Sequence, residues 1–378
     1  MEIVKSTSVL QSVSSKGLAK FWQGHICNEE DKWYLQTSYW QALKGGGTSI
    51  VTFSTPYECK PKNVGKSNET NPEIQAYSEF DSMVKKQVEK GYVLEGQVSE
   101  VLPLPMLAQK FTERKHTLIY PVWVQPKYNG MRMLYDGKKA WSRTGKLIDP
   151  KIIEHLQFDT KGLIIDGELL LPGNVLLQET LRAVKKYKPG VTEQLLYMIY
   201  DVVIPDLPFS ERWDIVLHLM CDCYGDGGIE YSKNIQYSLT EKAESEEHIL
   251  AFHKIFTQPS AHGNGYEGII IRSDGEEGYK IGHRSNQLQK YKTFIDAEFK
   301  IINVREGEGS FKGCAIFVCD NGFGETFDCN PEGTIEHKQE FYKNREQLIG
   351  KNLTIRYQEL SEKKIPLFPI GQNIRDYE

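Results

Sequence analysis

The sequence predicts an α+β protein of several domains, on three observations. The chain has 378 residues, and this length favours two or three domains. Strand-like runs alternate with helical stretches through most of the chain, and short strands separated by glycine turns fill its last part. The composition, 39% hydrophobic and 26% charged, is that of an ordinary globular protein and excludes wholesale disorder.

The sequence shows no sign of a membrane or secretory protein. No apolar run reaches the roughly 18 to 20 residues that a bilayer requires, and residues 1–13 lack the basic-then-apolar pattern of an export signal. The seven cysteines form neither a disulfide framework nor paired Cys-x-x-Cys zinc sites. We therefore expect an intracellular, cytoplasmic protein without structural zinc. The net charge of -5 means that any nucleic-acid surface is a local patch.

Residues 1–98 are predicted to form a small α+β module. The alternating run at 33–37 is typical of a strand. Asn71 is a good N-cap and Pro72 suits the first helical position, so a helix is expected to begin there. The apolar spacing of this helix stops at Gly91.

The rest of the chain is predicted to form two further domains. The proline-bearing stretch at 96–107 is expected to be a linker. Residues 99–294 mix strand-like runs with helical stretches such as 208–220. Residues 295–378 contain short strands between glycine turns, and a small barrel is the simplest way to close them.

Six polar clusters carry candidate chemistry. Lys127-Tyr128-Asn129-Gly130-Met131-Arg132 follows an apolar run, which predicts that the lysine lies where a strand emerges into a loop. We expect Gly130 to let the backbone approach a ligand and Arg132 to fork onto phosphate or ribose oxygens. Each further cluster, taken alone, also fits an ordinary structural role. In chain order they are Ser142-Arg143-Thr144-Gly145, Asp166-Gly167-Glu168, Tyr200-Asp201, Glu267-Gly268-Ile269-Ile270-Ile271-Arg272 and Lys290-Tyr291-Lys292.

Together, the ordered clusters resemble the covalent nucleotidyltransferase superfamily, and most closely the ATP-dependent DNA ligases. The resemblance covers residues 107–378 and implies a nucleotidyltransferase (ATP-grasp-like adenylation) domain at 99–294, followed by an OB-fold β-barrel at 295–378. Bacterial, phage and viral members all fit. Asn129 is a departure, because the family usually has aspartate there; asparagine keeps hydrogen bonds but removes a charge.

The resemblance implies a role for individual residues. Lys127 would be the catalytic nucleophile and would carry AMP, taken from ATP, as a phosphoramide. Glu168 and Glu267 would supply oxygen ligands for Mg²⁺ or for the ribose. The other implied nucleotide-binding residues are Gln125 at the adenine edge, Tyr200 stacked on adenine, Arg132, Arg143 and Arg284 on ribose, phosphates or the nick, Lys290 and Lys292 beside the amine, and Arg375 on the pyrophosphate.

The nucleophile must lose a proton before it attacks. An ammonium ion has no lone pair to offer phosphorus, and burial or neighbouring cations favour the neutral amine. We expect Lys290, Lys292 and bound magnesium to provide these cations. Attack on the α-phosphorus, with pyrophosphate leaving opposite, then depends on fixed donors that meet the developing charge.

Residues 33–92 resemble a WGR domain, a small nucleic-acid-binding module, and imply a WGR-like DNA-binding domain at 1–98. The eponymous Trp-Gly-Arg is replaced by Trp40-Gln41-Ala42. A local basic patch is expected to contact DNA phosphates. A solvated loop over an aromatic core is the structural alternative. The patch consists of Lys60, Lys62 and Lys66.

These hypotheses predict an ATP-dependent, magnesium-requiring DNA ligase that acts as a monomer on nicked double-stranded DNA and binds no membrane. An RNA ligase and a GTP-using mRNA-capping guanylyltransferase of the same superfamily remain open. An NAD-dependent ligase is disfavoured, because the nicotinamide-binding and zinc elements of that class are not found in the sequence. A non-catalytic nick-binding protein, suggested by Asn129 and the altered Trp-Gly-Arg, is the alternative from another functional class.

Overall fold

Two compact units make up the chain. In the described part of this computed structural model, no helix is both long and apolar enough to cross a bilayer. The boundary expected at residue 98 and part of the expected linker lie outside the described residues. Unit 1 comprises Met1–Pro105 and Lys138–Asp149, and unit 2 comprises Met106–Gly137 and Pro150–Glu378. The structure describes residues 1–14, 17–97, 103–173, 175–224, 233–258 and 265–375.

Residues 1–97 of unit 1 form an antiparallel sheet and one helix. The elements are β1 (Glu2–Ser6), β2 (Leu10–Val13), β3 (Ala19–Glu29), β4 (Lys32–Gln41), β5 (Thr52–Phe53), β6 (Tyr57–Glu58), α1 (Pro72–Val88) and β7 (Val93–Leu94). The strand order is β5-β4-β3-β2-β7, with β1 beside β3 and β6 beside β4. The mixed helix and strand content expected for this region is present.

Helix α1 begins where the sequence predicts and is anchored at its start. The Asn71 side chain accepts a hydrogen bond from the Ile74 N–H at 2.8 Å, and Pro72 occupies the first turn. Gly91 has φ +84°, a conformation that glycine adopts without strain. The helix packs its apolar face on the sheet, and the shared core consists of Ile26, Leu35, Cys59, Ala76 and Phe80.

Two sheets hold the middle of the chain. The elements are β8 (Leu107–Lys110), α2 (Phe111–Arg114), β9 (Val122–Lys127), β10 (Met131–Tyr135), β11 (Ala140–Ser142, within unit 1), β12 (Ile165–Leu170), α3 (Leu177–Lys185), β13 (Leu196–Val202), α4 (Phe209–Tyr224), β14 (Ile235–Tyr237), β15 (Glu241–Ala243), α5 (Glu246–Thr257), β16 (Gly268–Ser273) and β17 (Arg284–Lys292). One sheet has the order β15-β9-β16-β17-β8. In the other, β10, β12, β13 and β14 are neighbours in that order.

Two of the polar clusters lie within strands rather than at strand ends. Asp166-Gly167-Glu168 lies within β12, and Tyr200-Asp201 lies within β13. These strands continue through polar residues because each has a hydrogen-bonded neighbour on both sides. Lys127 does end β9, as predicted. This strand begins at Val122, whereas the apolar run in the sequence begins at Leu118.

The last part of unit 2 is a closed five-stranded barrel. Its elements are β18 (Ile295–Glu306), β19 (Ala315–Asp320), β20 (Thr326–Pro331), α6 (Ile335–Lys343), β21 (Asn352–Tyr357) and β22 (Ile370–Arg375). The barrel order is β18-β19-β20-β22-β21, and the core includes Ile301, Phe317, Leu353 and Ile355. The connection 358–369 joins β21 to β22.

Candidate active site

Lys127, Glu267 and Lys292 meet at one edge of the sheet formed by β9, β16 and β17. Gly268 lies opposite Lys127 on one side and opposite Lys292 on the other. The Glu267 N–H donates to the Lys127 carbonyl at 3.2 Å. A Cβ atom at position 268 would lie 2.1 Å from the carbonyl oxygen of Tyr291, so this close approach of strands requires glycine.

Glu267 pairs with both lysines. Its Oε2 accepts a hydrogen bond from Lys127 Nζ, and its Oε1 forms an ion pair with Lys292 Nζ. The Lys127, Glu267 and Lys292 side chains are 20%, 12% and 17% exposed. Burial raises the pKa of Glu267, but the two ammonium groups outweigh burial and hold this pKa below its ordinary value. The group that contacts the Lys127 amine is therefore a carboxylate rather than the expected cation.

Lys290 and Arg284 lie elsewhere on β17. Lys290 is opposite Ile270 on β16, and the alternation of a strand places it on the same face as Lys292. Arg284 begins β17, whereas Lys292 ends it, so about 25 Å of strand separates them. Arg284 Nη1 donates to the Ala108 carbonyl at 2.5 Å. The structure thus does not bring Arg284 to the Lys127 cluster.

Arg375 belongs to the barrel, and Arg143 belongs to unit 1. Arg375 ends β22 of the barrel, where its Nε donates to Thr354 Oγ1 at 2.9 Å and pairs with Glu298 Oε1 at 3.2 Å. Arg143 is exposed on the turn after β11, in the segment that belongs to unit 1. Contact of Arg375 with the pyrophosphate, which the resemblance implies, stays a prediction.

Gly130 brings β10 close to β12 rather than to a ligand. A Cβ atom at position 130 would lie 2.3 Å from the Leu169 carbonyl oxygen and 2.8 Å from Glu168 Cγ. The residue two positions later, Arg132, lies directly opposite Glu168 in the ladder. The glycine in the nucleophile motif therefore positions the Glu168 strand beside the Lys127 loop.

Arg132 forms a buried ion pair instead of the predicted fork onto a ligand. Its Nε and Nη2 donate to the Asp166 carboxylate at 2.9 and 2.5 Å, and its Nη1 donates to the Met106 carbonyl at 2.7 Å. Asp166 is fully buried and also accepts from the Tyr279 hydroxyl at 2.6 Å. Bidentate pairing suits the planar guanidinium, so Arg132 serves to hold β12 in place.

Glu168 is a partly buried acid whose pKa is raised towards neutrality. Burial raises its pKa to about 7, although Lys127 and Arg132 oppose this shift. The Tyr200 hydroxyl donates to Glu168 Oε2 at 3.2 Å. The guanidinium carbons of Arg132 and Arg272 lie 5.8 and 5.4 Å from the Tyr200 ring centroid. Stacking of this ring on adenine stays a prediction.

A buried ionic cluster adjoins Tyr200. Asp201 accepts hydrogen bonds from Arg212 Nε at 2.8 Å, from Arg212 Nη2 at 3.1 Å and from Arg272 Nη1. Burial raises the pKa of Asp201, but the two guanidinium groups outweigh burial and lower it. The sequence motifs contain Asp201 and Arg272 but give them no role. Arg212 lies on α4, outside every motif, so no signal in the sequence identifies it.

Two residues of the connection 358–369 contact the Lys127 region. Asn129 Nδ2 donates to the two carboxylate oxygens of Glu359 at 3.2 and 3.3 Å. With its amide oriented to satisfy both neighbours, Gln358 accepts from Lys292 Nζ at 3.0 Å and donates to Glu267 Oε1 at 3.3 Å. No motif marks this connection, so sequence reasoning missed both residues. The carboxylate that neighbours position 129 is thus supplied by the barrel.

The site offers two carboxylates rather than a complete metal cage. Over the described ranges, no group of three or more His, Cys, Asp or Glu side chains is arranged to hold a metal ion. Mg²⁺ is commonly held by one or two carboxylates together with substrate phosphates and waters. Glu168 and Glu267 therefore fit a magnesium ion that arrives with a nucleotide.

The family comparison decides the identity of this site. Residues 105–292 match the model of the ATP dependent DNA ligase domain. This chain is an ATP-dependent DNA ligase. The matched segment contains Lys127, Glu168, Glu267 and Lys292, so the ligase domain includes the cluster described above.

Relatives and solved structures agree with this assignment. The ligase is 26% identical over 339 residues to the DNA ligase of African swine fever virus (isolate Pig/Kenya/KEN-50/1950), covering 81% of this chain and 76% of the viral protein. Its fold is similar to that of a Lig E DNA ligase, with TM-score 0.59, 19% identity, and coverage of 73% of this chain and 100% of that one. It is also similar to a structure named Pmar-Lig_Pre, with TM-score 0.61, 19% identity, and coverage of 80% and 72%. The ligase therefore shares the mixed α+β fold of these structures.

Replacing Glu168 by glutamine should change how stability depends on pH. Because the pKa of Glu168 is raised to about 7, its contribution to stability is complete below the ordinary value of 4.5 and is lost as pH rises through 7. The melting temperature of Glu168→Gln minus that of wild type should therefore increase from about pH 5 to about pH 8. Thermal unfolding at both pH values measures this. Glu276→Gln, at an exposed acid, is the control, and a pH-independent Glu168 difference would contradict the assignment.

Asn129→Asp should destabilise the ligase because it places a second carboxylate against Glu359. Adding Glu359→Gln should restore stability, because a glutamine amide can donate to the new aspartate. Thermal or denaturant unfolding of wild type, both single variants and the double variant forms a cycle, and we expect a coupling energy of about 1 kcal/mol. Additive effects of the two substitutions would show that these side chains do not interact.

Proposed function

We propose that this ligase seals nicks with a 5′-phosphate and a 3′-hydroxyl in double-stranded DNA, through a covalent lysyl-AMP on Lys127. AMP would pass from ATP to Lys127 and then to the 5′-phosphate, and the 3′-hydroxyl would displace AMP to form the phosphodiester. The observation that supports Lys127 is its position at the end of β9, beside two carboxylates within the matched domain. We propose that the ligase acts as an intracellular monomer.

The match to an ATP-dependent DNA ligase domain favours this function over the alternatives that the sequence leaves open. Those alternatives are an RNA ligase, a capping guanylyltransferase, an NAD-dependent ligase and a non-catalytic nick-binding protein. Asn129 does not weaken the proposal, since its amide has a carboxylate partner in Glu359.

In the first step, Nζ of Lys127 would form a bond to the α-phosphorus while the bond from phosphorus to pyrophosphate breaks. The amine must also release a proton, and Glu267 already accepts a hydrogen bond from this nitrogen. We propose that Glu267 takes the proton. Lys292, on the other oxygen of Glu267, orients the carboxylate and adds positive charge beside the phosphates.

Glu168 and Glu267 are the proposed ligands of Mg²⁺. When bound, the ion would neutralise charge on the phosphate oxygens. Glu168, with its pKa near 7, is available as an anionic ligand mainly above neutral pH. Glu267 is held as an anion by two ammonium groups and must exchange at least one of them to bind the ion.

The other nucleotide contacts are proposed from position. Gln125 precedes Lys127 by two residues on β9, so strand alternation places both on one face. Gln125 would meet the base edge, and Tyr200 would stack on the base. Arg375 would reach the pyrophosphate only after leaving Glu298, which implies a movement of the barrel.

We propose three functional domains, at 1–98, 99–294 and 295–378. The barrel is assigned to the OB fold because it closes with five strands and carries α6 between its third and fourth strands. The first domain is proposed to be WGR-like and to bind DNA. The one-helix sheet and the exposure of Lys60, Lys62 and Lys66 support this, and Arg143 is proposed to assist.

The basic patch of the first domain is not uniform. Lys62 forms an ion pair with Glu79 at 2.6 Å, so a phosphate must compete for it. Trp40 stacks on Phe21 with 5.5 Å between ring centroids, which ties this ring to the unit's own sheet. We therefore expect Lys60 and Lys66 to supply most of the phosphate contacts.

The covalent step is tested by intact-mass measurement after incubation with ATP and Mg²⁺. Wild type should gain one AMP, and Lys127→Ala should gain none, because the only change is the loss of the proposed nucleophile. Lys343→Ala, at an exposed lysine of α6, should gain AMP as wild type does. An AMP adduct on Lys127→Ala, or its absence from wild type, would overturn the proposed mechanism.

The DNA contacts are tested by the double variant Lys60→Ala/Lys66→Ala. It should bind nicked duplex more weakly, and the slope of log K against log salt should fall by up to about 2, because each lost phosphate contact removes about 0.9. AMP transfer to Lys127 should be unaffected. Lys85→Ala/Lys86→Ala, on α1, removes equal charge as a control. Equal weakening by both pairs would argue against a specific patch.

A further inference from the structure

Gln125 is a fully enclosed amide whose orientation is fixed from both ends. It is 1% exposed. Its Nε2 donates to the Tyr200 carbonyl oxygen at 3.2 Å and to Thr240 Oγ1 at 3.0 Å. Its Oε1 accepts from Arg272 Nε at 2.7 Å. Arg272 itself is 2% exposed.

The neighbours of Gln125 allow only one arrangement of this amide. A peptide carbonyl can only accept, and a guanidinium can only donate, so exchanging the amide oxygen and nitrogen would break both contacts. The Thr240 hydroxyl adds to this constraint, because it donates to the Ser238 carbonyl at 3.2 Å and so presents its oxygen to Gln125. The oxygen of Gln125 is therefore the end that lies beside Arg272.

Arg272 is in turn held in place by Asp201. Its Nη1 donates to Asp201 Oδ2, and Asp201 is fully buried between Arg272 and Arg212. A guanidinium paired in this way has little freedom to turn away from Gln125. The chain of contacts from Asp201 through Arg272 to Gln125 thus fixes a hydrogen-bond acceptor on the strand face that also carries Lys127.

A glutamine amide that is free to rotate by 180° could bind a purine with either an amino group or a carbonyl at position 6. Adenine presents a donor amino group at position 6, whereas guanine presents an acceptor carbonyl there, as does hypoxanthine. An amide with its oxygen fixed has one remaining lone pair for an amino group and has nothing to offer a carbonyl. Discrimination then depends on the group that prevents the amide from turning.

We propose that Arg272 is a positioning residue for nucleotide specificity, which makes the site select a purine with an amino group at position 6 by holding Oε1 of Gln125 as an acceptor. This inference rests on the proposed function, in which Gln125 faces the base. It assigns to a buried ionic cluster the choice of ATP over nucleotides that carry a carbonyl at position 6.

The test compares the rates at which the full-length protein forms a nucleotidyl adduct with ATP and with inosine triphosphate. These nucleotides differ at position 6 and in protonation of the adjacent ring nitrogen, and intact mass distinguishes the two adducts. Wild type should prefer ATP. In Arg272→Met the ratio of the two rates should fall by about tenfold, the effect of one hydrogen bond to a charged group.

Arg212→Met is the matched control. Arg212 is also 2% exposed and also paired with Asp201, but its remaining side-chain hydrogen bond goes to the Leu207 carbonyl rather than to Gln125. Its replacement should slow both nucleotides alike and leave the ratio unchanged. If Arg272→Met does not fold, Thr240→Val removes an acceptor from Gln125 without altering charge and should lower the ratio to a smaller extent.

The outcomes separate this inference from the proposed function. A folded Arg272→Met or Thr240→Val protein with the wild-type ratio overturns the inference, and so does an equal fall in Arg212→Met. Wild type that forms no adduct with ATP overturns the proposed function and the inference together. An ATP adduct on Lys127 with an unaltered ratio overturns the inference alone.

Discussion

The pairing of Glu267 with two ammonium groups is the interaction on which the rest of the site depends. Three antiparallel strands approach closely enough for this pairing only because Gly268 carries no side chain. Two partly buried amines without a shared carboxylate would repel each other, and an unpaired, partly buried carboxylate would be costly to desolvate. The carboxylate therefore holds the two lysines together and also places Lys127.

The two sheets contribute different parts of the chemistry. One edge supplies Lys127, Glu267 and Lys292, and the neighbouring sheet supplies Glu168 on β12. The ion pair between Arg132 on β10 and Asp166 on β12 fixes these two strands against each other. Arg132, which the resemblance would give to the substrate, is thus used to hold backbone in position.

Sequence patterns predicted the helix α1 and the position of Lys127 at a strand end, and they selected Glu267 as a site residue without predicting its contact with Lys127. They succeeded where local rules apply, such as the Asn71 cap, or where a motif has a fixed spacing. They failed for Arg212 and Glu359, because neither residue lies in a motif, and the contact of Glu359 with Asn129 also joins distant parts of the chain. No sequence pattern indicates that Glu359 places a carboxylate beside Asn129, because Glu359 lies in the connection between two barrel strands.

Gln358 and Glu359 are neighbours in the chain, and between them they contact Asn129, Lys292 and Glu267. A displacement of this short stretch of backbone would expose the loop after Lys127, the Lys292 ammonium group and a carboxylate oxygen of Glu267 at once. Two adjacent peptide units of the barrel connection therefore determine how open the surroundings of Lys127, Lys292 and Glu267 are.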